Sequence, residues 1–187
     1  NGIYNPSVTT LTGTTHLHLA NCTFNSPFNQ ILPRITCGTG NQFNEAFFID
    51  VTGDLPSSIS GVFNNSFGLR NIVRSGTGTL TLESNNFQSY LALTNNNNSG
   101  SIVGKGNEVY SRVDVFNYAD SPVDLAYEGG TTTFSNQVLL VNTQNGTISI
   151  GLGGGTATLQ NSASLQIGAF GTGTVSLNNL TVNGIYN

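Results

Sequence analysis

Five short stretches decide the fold: GTGNQF (38–43), VFNNSF (62–67), ESNNFQ (83–88), GKGNEV (104–109) and TFSNQV (133–138). Each sets an Asn two places before an inward-type apolar residue. The pairs are Asn41 with Phe43, Asn65 with Phe67, Asn85 with Phe87, Asn107 with Val109, and Asn136 with Val138. Looser versions stand near both ends: LANCTF with Asn21 and Phe24, LQNSASL with Asn161, and SLNNLTV with Asn179. The steps run from about twenty to about thirty residues, the spacing that marks a solenoid.

The physics of such a repeat is specific. If the chain makes one coil per repeat, equivalent residues stack ~4.8 Å apart. A stacked Asn can bond through its amide to the copies above and below, and it tolerates the left-handed backbone of a tight corner. The apolar residue that follows stacks inward, and Asn ladders with stacked aromatics stabilise such arrays. Between the corners, THLHLA, GTLTLES, SRVDVFNY, TISIGLG and GTVSLNN alternate apolar and polar residues as strands do. No amphipathic helical run interrupts them. The expectation is an all-β chain, a parallel β-solenoid of about eight rungs with an Asn ladder. An antiparallel sandwich also uses Gly- and Asn-rich turns, but it does not demand the same Asn-to-apolar spacing five times.

An Asn at a short corner between short strands resembles the right-handed parallel β-helix. That fold is shared by pectate-lyase-like enzymes, phage tailspikes and bacterial adhesin passengers. The resemblance covers residues 14–182 and speaks to fold more than to function. The enzymes among these proteins use carboxylates, so it implies that any catalysis would sit on acids.

Composition narrows the function classes. Charged residues make up 7% of the 187, against about 25% in ordinary soluble proteins. Asn, Thr, Ser and Gly supply the polarity, which suits an extracellular or cell-surface setting. A net charge of -4 with five Lys and Arg cannot neutralise a phosphate track, which excludes nucleic acid as a partner. No apolar run approaches the ~18 residues of a membrane helix.

The same word, NGIYN, stands at residues 1–5 and 183–187. Either two similar edge strands close the ends, or residues 1–187 form one unit of a tandem array. The array reading makes neighbouring copies, end to end, the expected partners of a structural, non-catalytic fibre, stalk or adhesin. The runner-up is a glycan-cleaving or glycan-binding β-helix, and partial Thr rows such as GGTTTF leave an ice-binding face as a third reading.

Candidate chemistry is sparse. Asp114, Asp120, Asp124 and Glu128 gather in and beside NYADSPVDLAYEGG (117–130), read as a loop leaving the coil. They offer a carboxylate pair for glycans or oxygen ligands for calcium. Neither a D-x-D-x-D-G loop nor a G-G-x-G-x-D word occurs, and a solvated loop is the plainer reading. No cofactor is expected otherwise. His16 and His18 flank Leu17 on one strand face without an evident third ligand, so no metal site is assigned. Cys22 and Cys37 are either a disulfide or two buried thiols. Tyr90, Tyr110, Tyr118 and Tyr127 could stack on sugars or cover a core edge. The Gly-rich words GLGGGTATL and GAFGTGTVSL lack the Lys of a phosphate loop and suit tight corners.

Overall fold

A computed structural model describes residues 2–4, 16–64, 69–151, 153–160 and 163–183. Among them the chain is all-β, with every strand pairing parallel and no helix. Three sheets of nine, seven and eight strands run along a common axis. One turn crosses the third sheet, the first and then the second, as in Leu17–Leu19, Cys22–Phe24 and Phe28–Leu32. Seven such turns follow one another, with further strands at either end. The count of seven replaces the eight rungs expected from the Asn words, because those words do not all mark the same corner.

The strands form because alternate residues face a shared interior. Phe28–Leu32 and Phe47–Val51 bury their first, third and fifth residues. In-register stacking puts Phe24 on Phe43, with parallel rings 4.7 Å apart. Phe28 and Phe47 pack on Phe43 from the second sheet, each with ring centroids 5.2 Å away. The same inward row of the first sheet continues through Phe87, Val109, Phe134 and Leu159. Val138 stacks on Val113 in the second sheet, so Phe134, not Val138, follows Val109.

The corner between the third and first sheets holds two polar positions in succession. The earlier one takes left-handed backbone at Asn21, Gly40, Gly61, Ser84, Gly106 and Asn179, with φ between 52° and 77°, whereas Thr131 and Thr156 hold the same position in strand conformation. The strained geometry explains the glycines there. It also separates Asn21 and Asn179 from the ladder, whose members stand one residue later. At that later position the register places Cys22, Asn41, Val62, Asn85, Asn107 and Thr132. Val62 therefore occupies the place assigned to Asn65. Asn65, Phe67 and Asn161 lie outside the described residues. Asn136 is exposed, off this corner, with its Oδ1 accepting the Gln137 N–H.

Each buried ladder side chain serves the turn before it. Asn41 Oδ1 accepts the Cys22 N–H at 3.1 Å, Asn85 Oδ1 the Val62 N–H at 3.0 Å, and Asn107 Oδ1 the Asn85 N–H at 3.1 Å. Thr132 Oγ1 accepts from Asn107 N at 3.4 Å. The amide nitrogens donate backward, from Asn41 to the Leu19 and Gly38 carbonyls, from Asn85 to Ile59 and from Asn107 to Leu82. Asn85 and Asn107 also touch amide to amide at 3.0 Å.

A second ladder, absent from the sequence reading, closes the strands of the second sheet. Asn95, Asn117 and Asn142 are in register and fully buried. Asn95 Nδ2 donates to Asn117 Oδ1 at 3.2 Å, and Asn117 Nδ2 to Asn142 Oδ1 at 3.3 Å. Each also donates across its own turn, to the carbonyls of Gly100, Ser121 and Gly146 respectively. Arg74 takes the same position one turn earlier. Wholly buried, it donates to the carbonyls of Gly78, Val51 and Gly53 at 2.6–2.7 Å.

Replacing Asn85 tests the first ladder. Asn85→Ala strands the Val62 N–H and the Ile59 carbonyl in the interior. It should cost about 2–4 kcal/mol in urea unfolding, whereas Asn86→Ala, one residue along on the outer face, should cost less than about 0.5 kcal/mol.

Candidate functional site

The segment 117–130 is part of the coil and not a loop leaving it. Asn117 belongs to the second ladder, and Ala119, Val123, Leu125 and Ala126 are buried. Its four acids consequently fall into different surroundings. Asp114 lies mid-strand in Val113–Asn117 and is nearly buried. Arg112 Nε donates to its Oδ1 at 2.6 Å, Arg112 Nη2 to its Oδ2 at 2.8 Å, and Tyr90 Oη to its Oδ2 at 2.7 Å. The guanidinium also lies 5.8 Å from the Tyr90 ring centroid. Burial, then the hydrogen bond and charge of Asp114, push the Tyr90 hydroxyl up to about 12. The Asp114 hydrogen bond, followed by its charge, raises Arg112 against the opposing effect of burial.

Asp124 is also nearly buried, on the third sheet. Its Oδ1 accepts the N–H groups of Ala126 and Gly151 at 3.1 and 3.3 Å, and its Oδ2 that of Gly153 at 3.2 Å. This carboxylate pins the Gly-rich segment GLGGG against the turn before it, which gives those glycines a structural reason. Asp120 is exposed and bridges neighbouring turns: its N–H donates to Asn98 Oδ1 at 3.1 Å, and its Oδ1 accepts from Asn145 N at 3.2 Å. Glu128 is exposed on the outer face. Chain proximity had grouped the four; the coil distributes them over different faces.

Among the described residues no cluster of three or more His, Cys, Asp or Glu side chains is arranged to hold a metal ion. His16 and His18 do share a strand face, with ring centroids 3.8 Å apart. His16 Nε2 lies 3.0 Å from Thr36 Oγ1. Burial, then the neighbouring His18 and Arg34, lower its pKa. Cys22 and Cys37 are both free thiols. Cys22 sits at the ladder position, its N–H bonded to Asn41 and its Sγ donating to the Ala20 carbonyl at 3.4 Å. Cys37 packs in the core, where burial pushes its thiol up to about 12.

The tyrosines separate into engaged and open ones. Tyr90 is held by Asp114, and Tyr110 donates to Glu108 Oε2 at 3.1 Å. Tyr118 stacks parallel to Phe116 at 6.0 Å with its ring partly exposed. Tyr127 is also exposed, beside the Gly151–Gly155 segment. No helix among the described residues is long and apolar enough to cross a membrane.

Comparison with family models, with curated protein sequences and with solved structures found no match to this chain.

Two measurements check the structural roles of these groups. Asp124→Ala removes the acceptor of three backbone donors. It should lower stability by about 2–4 kcal/mol and speed hydrogen exchange at Ala126, Gly151 and Gly153 above the exchange at the Asn41 turn. Tyr90 gives a pH signature. Its folded pKa lies above the unfolded value of about 10, so its stabilising contribution is complete below pH 10 and lost as the pH rises towards 12. Urea unfolding of the parent should therefore weaken over that window more steeply than that of Tyr90→Phe.

Proposed function

We propose that the chain is a structural, non-catalytic repeat unit of an extracellular fibre, stalk or large surface adhesin. The observation that carries this reading is that the polar side chains of the interior point from one turn to the next. Asn41, Asn85, Asn107 and Thr132 in one file, and Arg74, Asn95, Asn117 and Asn142 in the other, each make at least one bond to the backbone or amide of an adjoining turn. Such an arrangement stiffens one axis and extends by adding like turns, because each turn of a solenoid contacts mainly its neighbours. Seven turns at the ~4.8 Å strand spacing give a segment roughly 34 Å long.

The repeated NGIYN supports the reading of neighbouring copies end to end. Of the two words, Gly2–Tyr4 lies within the described residues, as a strand on Cys22–Phe24. The surface is rich in amides and hydroxyls and poor in charge, which suits a fibre exposed to the medium. Glycan cleavage by the acidic group finds less support. Asp114 is fixed by Arg112 and Tyr90, and Asp124 by three backbone donors, whereas a glycosidase needs its two carboxyls free to face one bond.

Electron microscopy of the source cells, labelled with an antibody to this segment, tests the proposal. Label at regular intervals along thin filaments is the expected result. Label confined to short knobs, to phage-like particles or to dispersed secreted material would overturn the fibre reading.

A further inference from the structure

We infer that the outer face of the third sheet carries a binding groove for a neutral oligosaccharide, built around Tyr127. The groove has a volume of about 520 Å³, within the ~300–1,000 Å³ range of small-ligand sites. Its floor consists of outward residues of two adjacent strands, Thr79 and Thr81 from Thr79–Glu83, and Ser101 and Val103 from Ser101–Lys105. These strands are in register, so Thr79 faces Ser101 and Thr81 faces Val103. Thr79 Oγ1 and Ser101 Oγ lie 3.0 Å apart, and each keeps further hydrogen-bonding capacity towards the groove.

Tyr127 forms the wall, and it is held before any ligand arrives. Its N–H donates to the Gly104 carbonyl at 2.7 Å. One edge of its ring lies against Gly153, so closely that a Cβ there would overlap the ring carbons. Asp124 fixes that glycine from beneath by accepting its N–H. The residue remains 38% exposed, beside a floor of three hydroxyls and the apolar Val103. That combination matches a pyranose, whose C–H face stacks on an aromatic ring while its hydroxyls take and give hydrogen bonds. A pre-set ring avoids most of the ordering cost of binding. Thr79 and Ser101 stand one strand spacing apart, ~4.8 Å, with the apolar Pro122 and Val103 beside them.

The charge pattern selects a neutral chain. The one carboxylate lining the groove, Asp124, is occupied by three backbone donors. The nearest cation on these strands, Lys105, stands at their far end beside Glu83, 3.5 Å away. No positive side chain lines the groove to receive an acidic sugar. The site needs no catalysis and stands independently of the fibre reading, since a groove on one side face leaves both ends of the coil clear.

Isothermal titration of the chain with cellotetraose, maltotetraose, mannotetraose and chitotetraose tests the site. Saturable binding of at least one is expected. Tyr127→Ala should weaken it about 3- to 10-fold, the worth of one aromatic stacking contact. Thr81→Lys, which lays a long side chain over the floor without touching the core, should abolish it. Tyr118→Ala, just beyond the Val113–Asn117 strand of the second sheet and outside the groove, should leave it unchanged. Thermal melts establish that each variant is folded, and if Tyr127→Ala fails that check, Thr81→Lys decides. Saturable binding of none of the four sugars overturns the inference, as does binding that survives Thr81→Lys or every folded groove variant.

Discussion

The structure depends on one constraint: a coil corner turned inward carries backbone groups that water cannot reach, and something must bond them. The strands answer for their own peptide groups through parallel ladders. The corners cannot, because the chain there changes direction. At two of the three corners the answer is a side-chain amide, which both accepts an N–H and donates to a carbonyl. Between the third and first sheets Asn41, Asn85 and Asn107 do this across turns; between the second and third sheets Asn95, Asn117 and Asn142 donate to carbonyls of their own turns, and the Oδ1 atoms of Asn117 and Asn142 accept the amide of the turn before. The remaining corner faces solvent and shows looser polar pairs, such as Asn44 with Asn25 and Ser135 with Gln160. Amides suit the inner corners because they are neutral, so their burial carries no charge penalty once bonded.

Arg74 shows the limit of that rule. A guanidinium fully inside the coil stands where an Asn would complete the second file. Its five donors reach three carbonyls at once, including two in the preceding turn, where Val51 supplies no polar side chain. It thus does the work of two ladder members at the end of the file, at the cost of burying a cation. Burial lowers its pKa, with Asp54 and Asp50 acting in the opposite direction. Arg70 enters the interior of the same strand and lies 5.3 Å from the Phe47 ring centroid. The few charges of this chain are therefore in part structural, and a low charge count does not mean a charge-free core.

The all-β solenoid was legible because its period is written in residue types: short alternating runs, with Asn at a repeating corner. The members of the ladder were less legible. Two adjacent corner positions both accept Asn, one for its tolerance of positive φ and the other for its amide, and a spacing rule alone merges Asn21 and Asn179 with Asn41 and Asn85. Val62 shows that a turn can leave the ladder position apolar, because the following Asn85 still satisfies its N–H. The second ladder did leave a mark. LALTN, VDVFN and LLVN all end an alternating run on Asn, but a spacing rule of Asn before an apolar residue does not register Asn after one. The acidic segment misled for a similar reason. Polar letters read as a loop, whereas Asn117, Ser121 and Asp124 are polar because the coil's interior and its covered outer face need bonding groups there. The groove beside Tyr127 was not legible, since its floor and wall come from residues about fifty apart that only the register brings together.

The same register fixes the inner files and the outer rows together. A strand placed by ladders on either side cannot slip by one residue, because slippage would send an Asn amide outward and an apolar residue to the corner. The inner bonds that fix Asn95, Asn117 and Asn142 therefore also fix the outer rows, among them Thr79 facing Ser101 and Thr81 facing Val103. A rigid coil thus displays its side chains at a constant spacing without any dedicated scaffold. Asp124 joins the two levels directly. Its carboxylate is spent on holding the Gly151–Gly153 backbone, and that backbone in turn seats the Tyr127 ring. On this geometry Asp124 contributes to the surface by positioning it, through the backbone that its carboxylate holds.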